Sequence, residues 1–290
     1  MKFDSKGFTL VELMVALALG LIIVGAAIQL MISGQSTLTY QKAMESVQDN
    51  ANFGINYITA DIRQTNLDVG KRKMGNSTLS GLIVKKENYP SGITTTDLAL
   101  SSTATGLSLA DKKSDILVIQ YKPAQLNGFD CEGKKISSAN LMIVQKYFIR
   151  EDENNDNGDL VLACAAGRYE VGVDKPALDN LTSTSLGQVI LQRVDQFKVL
   201  VGVVDSANKM SYLTLNQYVA AADTINPVTI QIGVLIRSVD NAGSNTVIPS
   251  SYTLLNTAYK VSNPEKITGK FLRVPLEQTV AIRNAIGDTK

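Results

Sequence analysis

The sequence predicts an α+β protein in which one long N-terminal helix packs by its second half on an antiparallel β-sheet head. Three observations lead there. An unbroken apolar run opens the chain, a helical stripe of apolar residues follows it, and short period-two segments separated by turn residues fill the remainder.

The first element is the run from Leu13 to Ile32, LMVALALGLIIVGAAIQLMI, in which Gln29 is the one strongly polar residue. Twenty helical residues rise about 30 Å, the thickness of a bilayer hydrocarbon core. A helix seated on a protein core would show a polar face at helical spacing, and this one has none. Residues 13–32 therefore read as a transmembrane helix. A cleavable secretion signal has a shorter apolar core followed by a small-x-small site, whereas Ala16-Leu17-Ala18 lies inside this run. Lys2 and Lys6 precede the run and the next base is Lys42, so the positive-inside bias places the N-terminus in the cytoplasm and the rest across the membrane.

Glu12 stands at the mouth of the run. An acid there serves the helix dipole from the headgroup zone, or it is a carboxylate drawn into lipid, which is costly unless paired.

Composition narrows the function. Lys plus Arg number 28 against 27 Asp plus Glu, a net charge of +1, which is no nucleic-acid footprint. The absence of His removes His-dependent triads and His metal ligands, and two Cys cannot build a Cys-only zinc site. No cofactor, metal or catalytic set is expected. Gly-x-Ser-x-Gly and a P-loop are missing, and no carboxylate or Ser–Lys pair stands out by spacing.

At the N-terminus, Lys6-Gly7-Phe8-Thr9-Leu10-Val11-Glu12-Leu13 resembles the prepilin signature of type IV pilins and type II secretion pseudopilins. The resemblance implies a leader at 1–7, a pilin-like fold, cutting of the Gly7–Phe8 bond by a prepilin peptidase, and N-methylation of Phe8. It also gives Glu12 a task. When the helices leave lipid and bundle, that carboxylate needs a cation, and the Phe8 ammonium of a neighbouring subunit supplies it.

Beyond Ser33-Gly34 the pattern stays helical. Tyr40, Met44, Val47, Ala51, Ile55, Ile58 and Ile62 recur at spacings of three and four, a stripe made to pack on a folded domain. A single helix from Phe8 to Leu67, about 90 Å long, is expected, with a head from 68 to 290. Candidate strands in the head are Leu79–Lys85, Ser114–Lys122, Asn140–Arg150, Asp159–Ala165, two within Gln188–Asp205, Pro227–Val239 and Phe271–Asn284. In Pro227–Val239, Ile230, Ile232, Val234 and Ile236 share one face while Thr229, Gln231 and Arg237 take the other. Tyr212–Ala222 reads as a short helix and the Ser/Thr-rich stretch Ser91–Ser108 as a surface loop.

The head resembles the PilW family of minor pilins through Asp115 before ILVIQY, Tyr147-Phe148, the Leu160–Cys164 segment, Val194-Asp195-Gln196-Phe197 and Thr279–Asn284. That resemblance implies a minor pilin, placed in the inner membrane before assembly, that primes and joins a type IV pilus near its tip and serves twitching motility. Its partners would be other minor pilins, the major pilin, a tip adhesin and the prepilin peptidase. The J-type pseudopilin of type II secretion shares this plan and is the alternative. A membrane-anchored periplasmic enzyme or binding module is the reading from another class.

Cys131 and Cys164, the only cysteines, would lie in an oxidising compartment and are expected to pair, tying a loop to a strand end. The acidic run Glu151–Asp159 alternates Asp152, Asn154 and Asp156 like a calcium loop, yet its twelfth position is Ala163 and its Gly is displaced, so a solvated hairpin turn is expected. Lys71-Arg72-Lys73 is too small a basic cluster for firm phosphate binding.

Overall fold

The computed structural model describes residues 7–69, 79–155, 157–221, 225–243, 246–263 and 268–284. The leader residues 1–6, the cluster at 71–73, Asp156 and Ala222 lie outside these.

Helix α1 spans Leu10–Gln64, 55 residues or about 80 Å. It starts later and stops earlier than expected, for local reasons. Thr9 takes an extended conformation as N-cap, and Thr65 leaves helical geometry before Asn66 adopts φ 66°. No Pro interrupts it, and Thr37 and Thr39 return their hydroxyls to the carbonyls of Ser33 (3.0 Å) and Gln35 (2.9 Å). Its first half is exposed except at Gly20 and Ser36, which are half-buried. Below it, Val47, Ala51, Ile58 and Ile62 are buried, while Ile55 and Met44 are half-buried and Tyr40 stays outside. Burying each of the two isoleucines contributes about 1.5–3 kcal/mol.

The head holds β1 (Ser102–Gly106), β2 (Ser114–Tyr121), β3 (Leu141–Glu151), β4 (Leu160–Glu170), β5 (Gln188–Leu191), β6 (Val194–Val204), β7 (Met210–Thr214), α2 (Leu215–Ala220), β8 (Asn226–Asn241), β9 (Ser251–Leu254), β10 (Thr257–Lys260) and β11 (Phe271–Ala281). These form two sheets rather than one, with strand orders β1-β2-β3-β4-β5 and β11-β8-β6-β7, plus the ribbon β10-β9. Every pairing is antiparallel.

The sheets face each other across one core. Leu117, Ile119, Tyr147, Leu162 and Cys164 from the first meet Phe197, Val199, Ile230, Ile232 and Val234 from the second, and the stripe of α1 closes the same cluster. The outer face of the first sheet is also covered. Val118, Val144, Ala165 and Tyr169 lie under Ile83, Tyr89, Leu178 and Leu181 from the connections. That second layer explains why the first sheet lacks a clean in–out alternation.

Several elements depart from expectation. Leu79–Lys85 is an irregular segment with one bridge, Leu82 to Ile119, because its neighbours donate to side chains instead: Gly81 N bonds Asn66 Oδ1 (2.9 Å), and Val84 N bonds Asn88 Oδ1 (3.0 Å). The stretch 91–108 contains β1. Tyr212 belongs to β7, and α2 begins only at Leu215, where Thr214 closes a capping box with Gln217.

Asparagine junctions at two places help to lock α1 to the head, beside the bond from Val239 N to Ser46 Oγ (3.3 Å). Asn50 donates to Gln192 O (2.7 Å) and accepts from Gln192 N (3.3 Å), covering the corner after β5. At the far end, Asn284 donates to Thr65 O (3.2 Å) and accepts from Asn66 Nδ2 (2.8 Å). Between them Gly54 lets helix and strand touch: a Cβ there would sit 2.2 Å from the side chain of Leu191.

Candidate assembly site and the buried polar centre

The exposed start of α1 carries the residues singled out at the N-terminus. Gly7 and Phe8 are exposed and precede the helix. Glu12 folds back on Thr9, accepting from its backbone N–H (3.0 Å) and its hydroxyl (3.0 Å), while the Thr9 oxygen accepts from Glu12 N (3.2 Å). This capping box gives the carboxylate two donors and the positive end of the helix dipole. Behind it the helix is long and apolar enough to cross a membrane, and that apolar stretch buries nothing against the head.

Cys131 and Cys164 form the expected disulfide, with Cα atoms 6.0 Å apart. Cys164 sits in the middle of β4, not near its end, because β4 runs on to Glu170. The bond therefore ties the loop 122–140 to the inner face of the first sheet.

The acidic run is not a fully solvated turn. Glu153 and Asn154 are exposed, but Asp152 is nearly buried and Asp159 is fully so. Asp159 turns inward to Arg237, with Arg193 at 3.6 Å from its other oxygen. Arg237 lies on the face of β8 expected to meet solvent, yet it is among the most buried large side chains. Its Nε donates to Asp195 Oδ1 (3.1 Å), and Asp195 Oδ2 accepts from Arg273 Nε (2.6 Å). Phe271 stacks against the guanidinium at 5.4 Å, and Leu254 of the β9–β10 ribbon reaches Gly233 on the same strand. The ribbon covers that face, which the alternation of β8 alone cannot reveal.

Two further buried carboxylates follow the same rule of full satisfaction. Asp115 accepts from Val199 N (2.8 Å) and Ala104 N (2.9 Å) with Lys198 Nζ at 3.6 Å, and burial raises its pKa against those opposing contacts. Asp61 of α1 accepts from Tyr147 Oη (2.5 Å). The Gln145 amide, oriented to satisfy its neighbours, donates to Asp61 at 3.0 Å and accepts from Tyr121 Oη (3.1 Å) and Cys131 N (3.2 Å). Asp115 figures in the PilW resemblance without a role, and Asp61 is marked by no motif; an acid inside an apolar stripe was the available signal there.

The arrangement joins elements rather than reacting groups. The Asp159–Arg237–Asp195–Arg273 chain links the turn before β4 to β6, β8 and β11, and each carboxylate faces cations rather than an open cleft. Among the described residues no group of three or more acids or cysteines is placed to hold a metal.

Comparison with known proteins agrees with this geometry. Residues 2–28 match the model of the family described as the prokaryotic N-terminal methylation motif. Residues 146–284 match the model of the family described as type IV pilus-assembly protein W, a segment that contains Cys164, the whole arginine–aspartate chain and Asn284. No curated protein and no solved structure matches the chain. The chain thus carries a prokaryotic N-terminal methylation motif followed by a helix long and apolar enough to cross a membrane, and residues 146–284 of its head match the type IV pilus-assembly protein W family.

Proposed function

We propose that this protein is a minor pilin that helps to prime a type IV pilus and is built into it near the tip. The observation that carries the reading is the division of α1. One half is apolar, exposed and headed by Glu12, and the other is buried in a β-rich head. A helix of that kind is soluble in lipid and, once withdrawn, finds equivalent surroundings only among similar helices.

In this reading residues 1–7 are the leader, 13–32 span the inner membrane with the N-terminus cytoplasmic, and the head from 68 onward is periplasmic until export. Prepilin peptidase cuts after Gly7 and Phe8 is methylated. Glu12 then exchanges its contacts with Thr9 for the Phe8 ammonium of a neighbour, which sets the register between subunits. Energy comes from helix burial and lateral head contacts with other minor pilins, the major pilin and a tip adhesin, and the role is structural.

Mass spectrometry of the cellular protein tests this. The expected terminus is N-methyl-Phe8. An intact Met1, or a terminus beyond residue 30, overturns the assignment. Gene deletion separates the pilus from the secretion alternative, since loss of twitching with normal exoprotein release is expected and the reverse result refutes it.

A further inference from the structure

The last turns of α1, the disulfide and the loop 122–136 meet at one buried point, Asp61. This residue is 9% exposed, yet among the described residues no Lys or Arg comes within ion-pairing distance of it. Its partners are neutral donors, the Tyr147 hydroxyl and the Gln145 amide. Arg168 of β4 serves another acid, pairing with Asp130. Asp130 is itself turned inward and accepts from Glu132 N (3.1 Å) and Lys134 N (2.9 Å), closing the loop around it.

The connection to the loop runs through Gln145. The Gln145 oxygen that balances its amide donation to Asp61 accepts from Cys131 N (3.2 Å). The loop beyond displays Leu126 and Phe129, exposed by 52% and 66%. It borders an open groove of about 240 Å³ that also takes in Gln64 of α1, Tyr121 and Ile136.

We propose that Asp61 is a proton-operated latch between α1 and the disulfide-braced loop. Protonation removes the one uncompensated charge at the junction, and the helix end, Gln145 and the loop close on it. Ionisation loosens the junction and frees the loop with its apolar tip.

The phenols that face Asp61 do not change state in a moderate pH range. Tyr57 on α1 is pushed to about 12 by burial and by the nearby Asp61 and Asp130. Tyr121 on β2 and Tyr147 on β3 are pushed higher for similar reasons and stay neutral. Burial pushes Asp61 up to about 6, against the hydrogen bonds of Tyr147 and Gln145 and with help from Asp130. A carboxyl whose folded pKa exceeds its unfolded value of 3.8 binds its proton preferentially in the folded state, so stability rises as pH falls through about 6 and levels off below 3.8. A difference of about two units corresponds to a folding constant about a hundredfold larger in acid than at pH 8.

The test uses the full chain in detergent micelles, with amide hydrogen exchange at pH 5 and pH 8 normalised for intrinsic rates. Amides of 124–136 and 58–64 are expected to be about tenfold better protected at pH 5. Asp61→Asn, whose single oxygen can accept from both donors, is expected to hold the acid-level protection at both pH values. Tyr147→Phe removes a donor to the ionised form and is expected to move the midpoint of the change upward. Asp115 bonds Ala104 and Val199 on other elements, so its own titration does not report in the loop. Loop protection that ignores pH, a pH response surviving in Asp61→Asn, or a midpoint unmoved in Tyr147→Phe overturns the latch. The latch does not depend on the filament reading.

Discussion

Replacing Arg237 by Met isolates the centre of the head. Taking one partner from a buried ion pair costs about 3–5 kcal/mol, because a charge is left without compensation. Arg237 serves two carboxylates, but each keeps a second cation: Arg273 lies 2.6 Å from Asp195, and Arg193 lies 3.6 Å from Asp159. The Nη1 atom of Arg237 has no hydrogen-bond partner among the described residues, so removing the side chain also relieves one desolvated donor. Methionine retains the stem volume and its contact with Phe271. Together these place the loss at the lower end, about 3 kcal/mol. Urea unfolding of the full chain in micelles, followed by tyrosine near-UV circular dichroism, measures it. Arg237→Lys, which keeps the charge but not the fork, is expected to fall between wild type and Arg237→Met. A loss under about 1 kcal/mol at neutral pH would refute the argument, for Arg193 and Arg273 would then suffice alone.

Gly54→Ala should destabilise the head although it improves helix propensity by about 1 kcal/mol, because the new methyl meets Leu191 inside a packed cluster at an overpacking cost of about 1–3 kcal/mol; an increase in the urea midpoint would contradict the close approach. Cys131→Ala with Cys164→Ala should cost about 3–4 kcal/mol by freeing a loop of 33 residues in the unfolded chain, read by the same titration. Glu12→Ala is expected to leave cleavage after Gly7 nearly intact while lowering filament number, and normal piliation by electron microscopy would count against its pairing role.

The N-terminal half of this molecule is legible in the sequence because one helix obeys one period. Val47, Ala51, Ile58 and Ile62 face the core where the spacing puts them, and the apolar run ahead of them has no polar face to hide. The head is harder for reasons visible in particular residues. Arg237 follows the polar parity of β8, and what buries it arrives later in the chain as Phe271 and the β9–β10 ribbon. Asp159 ends an acidic run that reads as solvent-loving, yet its partners, Arg193 and Arg237, are remote in sequence. Leu79–Lys85 is rich in strand formers, but the side chains of Asn66 and Asn88 take the N–H groups of Gly81, Val84 and Lys85, and pairing stops at the one bridge from Leu82 to Ile119. The disulfide was open to inference from cysteine count, whereas the length of β4, and so the place of Cys164 within it, was not.

The two asparagine clamps on α1 have a mechanical consequence. Asn50 grips the backbone of Gln192 near the point where the helix enters the head, and Asn284 grips Thr65 where it ends. A pull along the exposed half is thus carried by both fastenings and by the apolar stripe between them, all strained sideways together. No single contact can peel away ahead of the others, so the head should resist extraction by its shaft better than its modest buried helix length suggests.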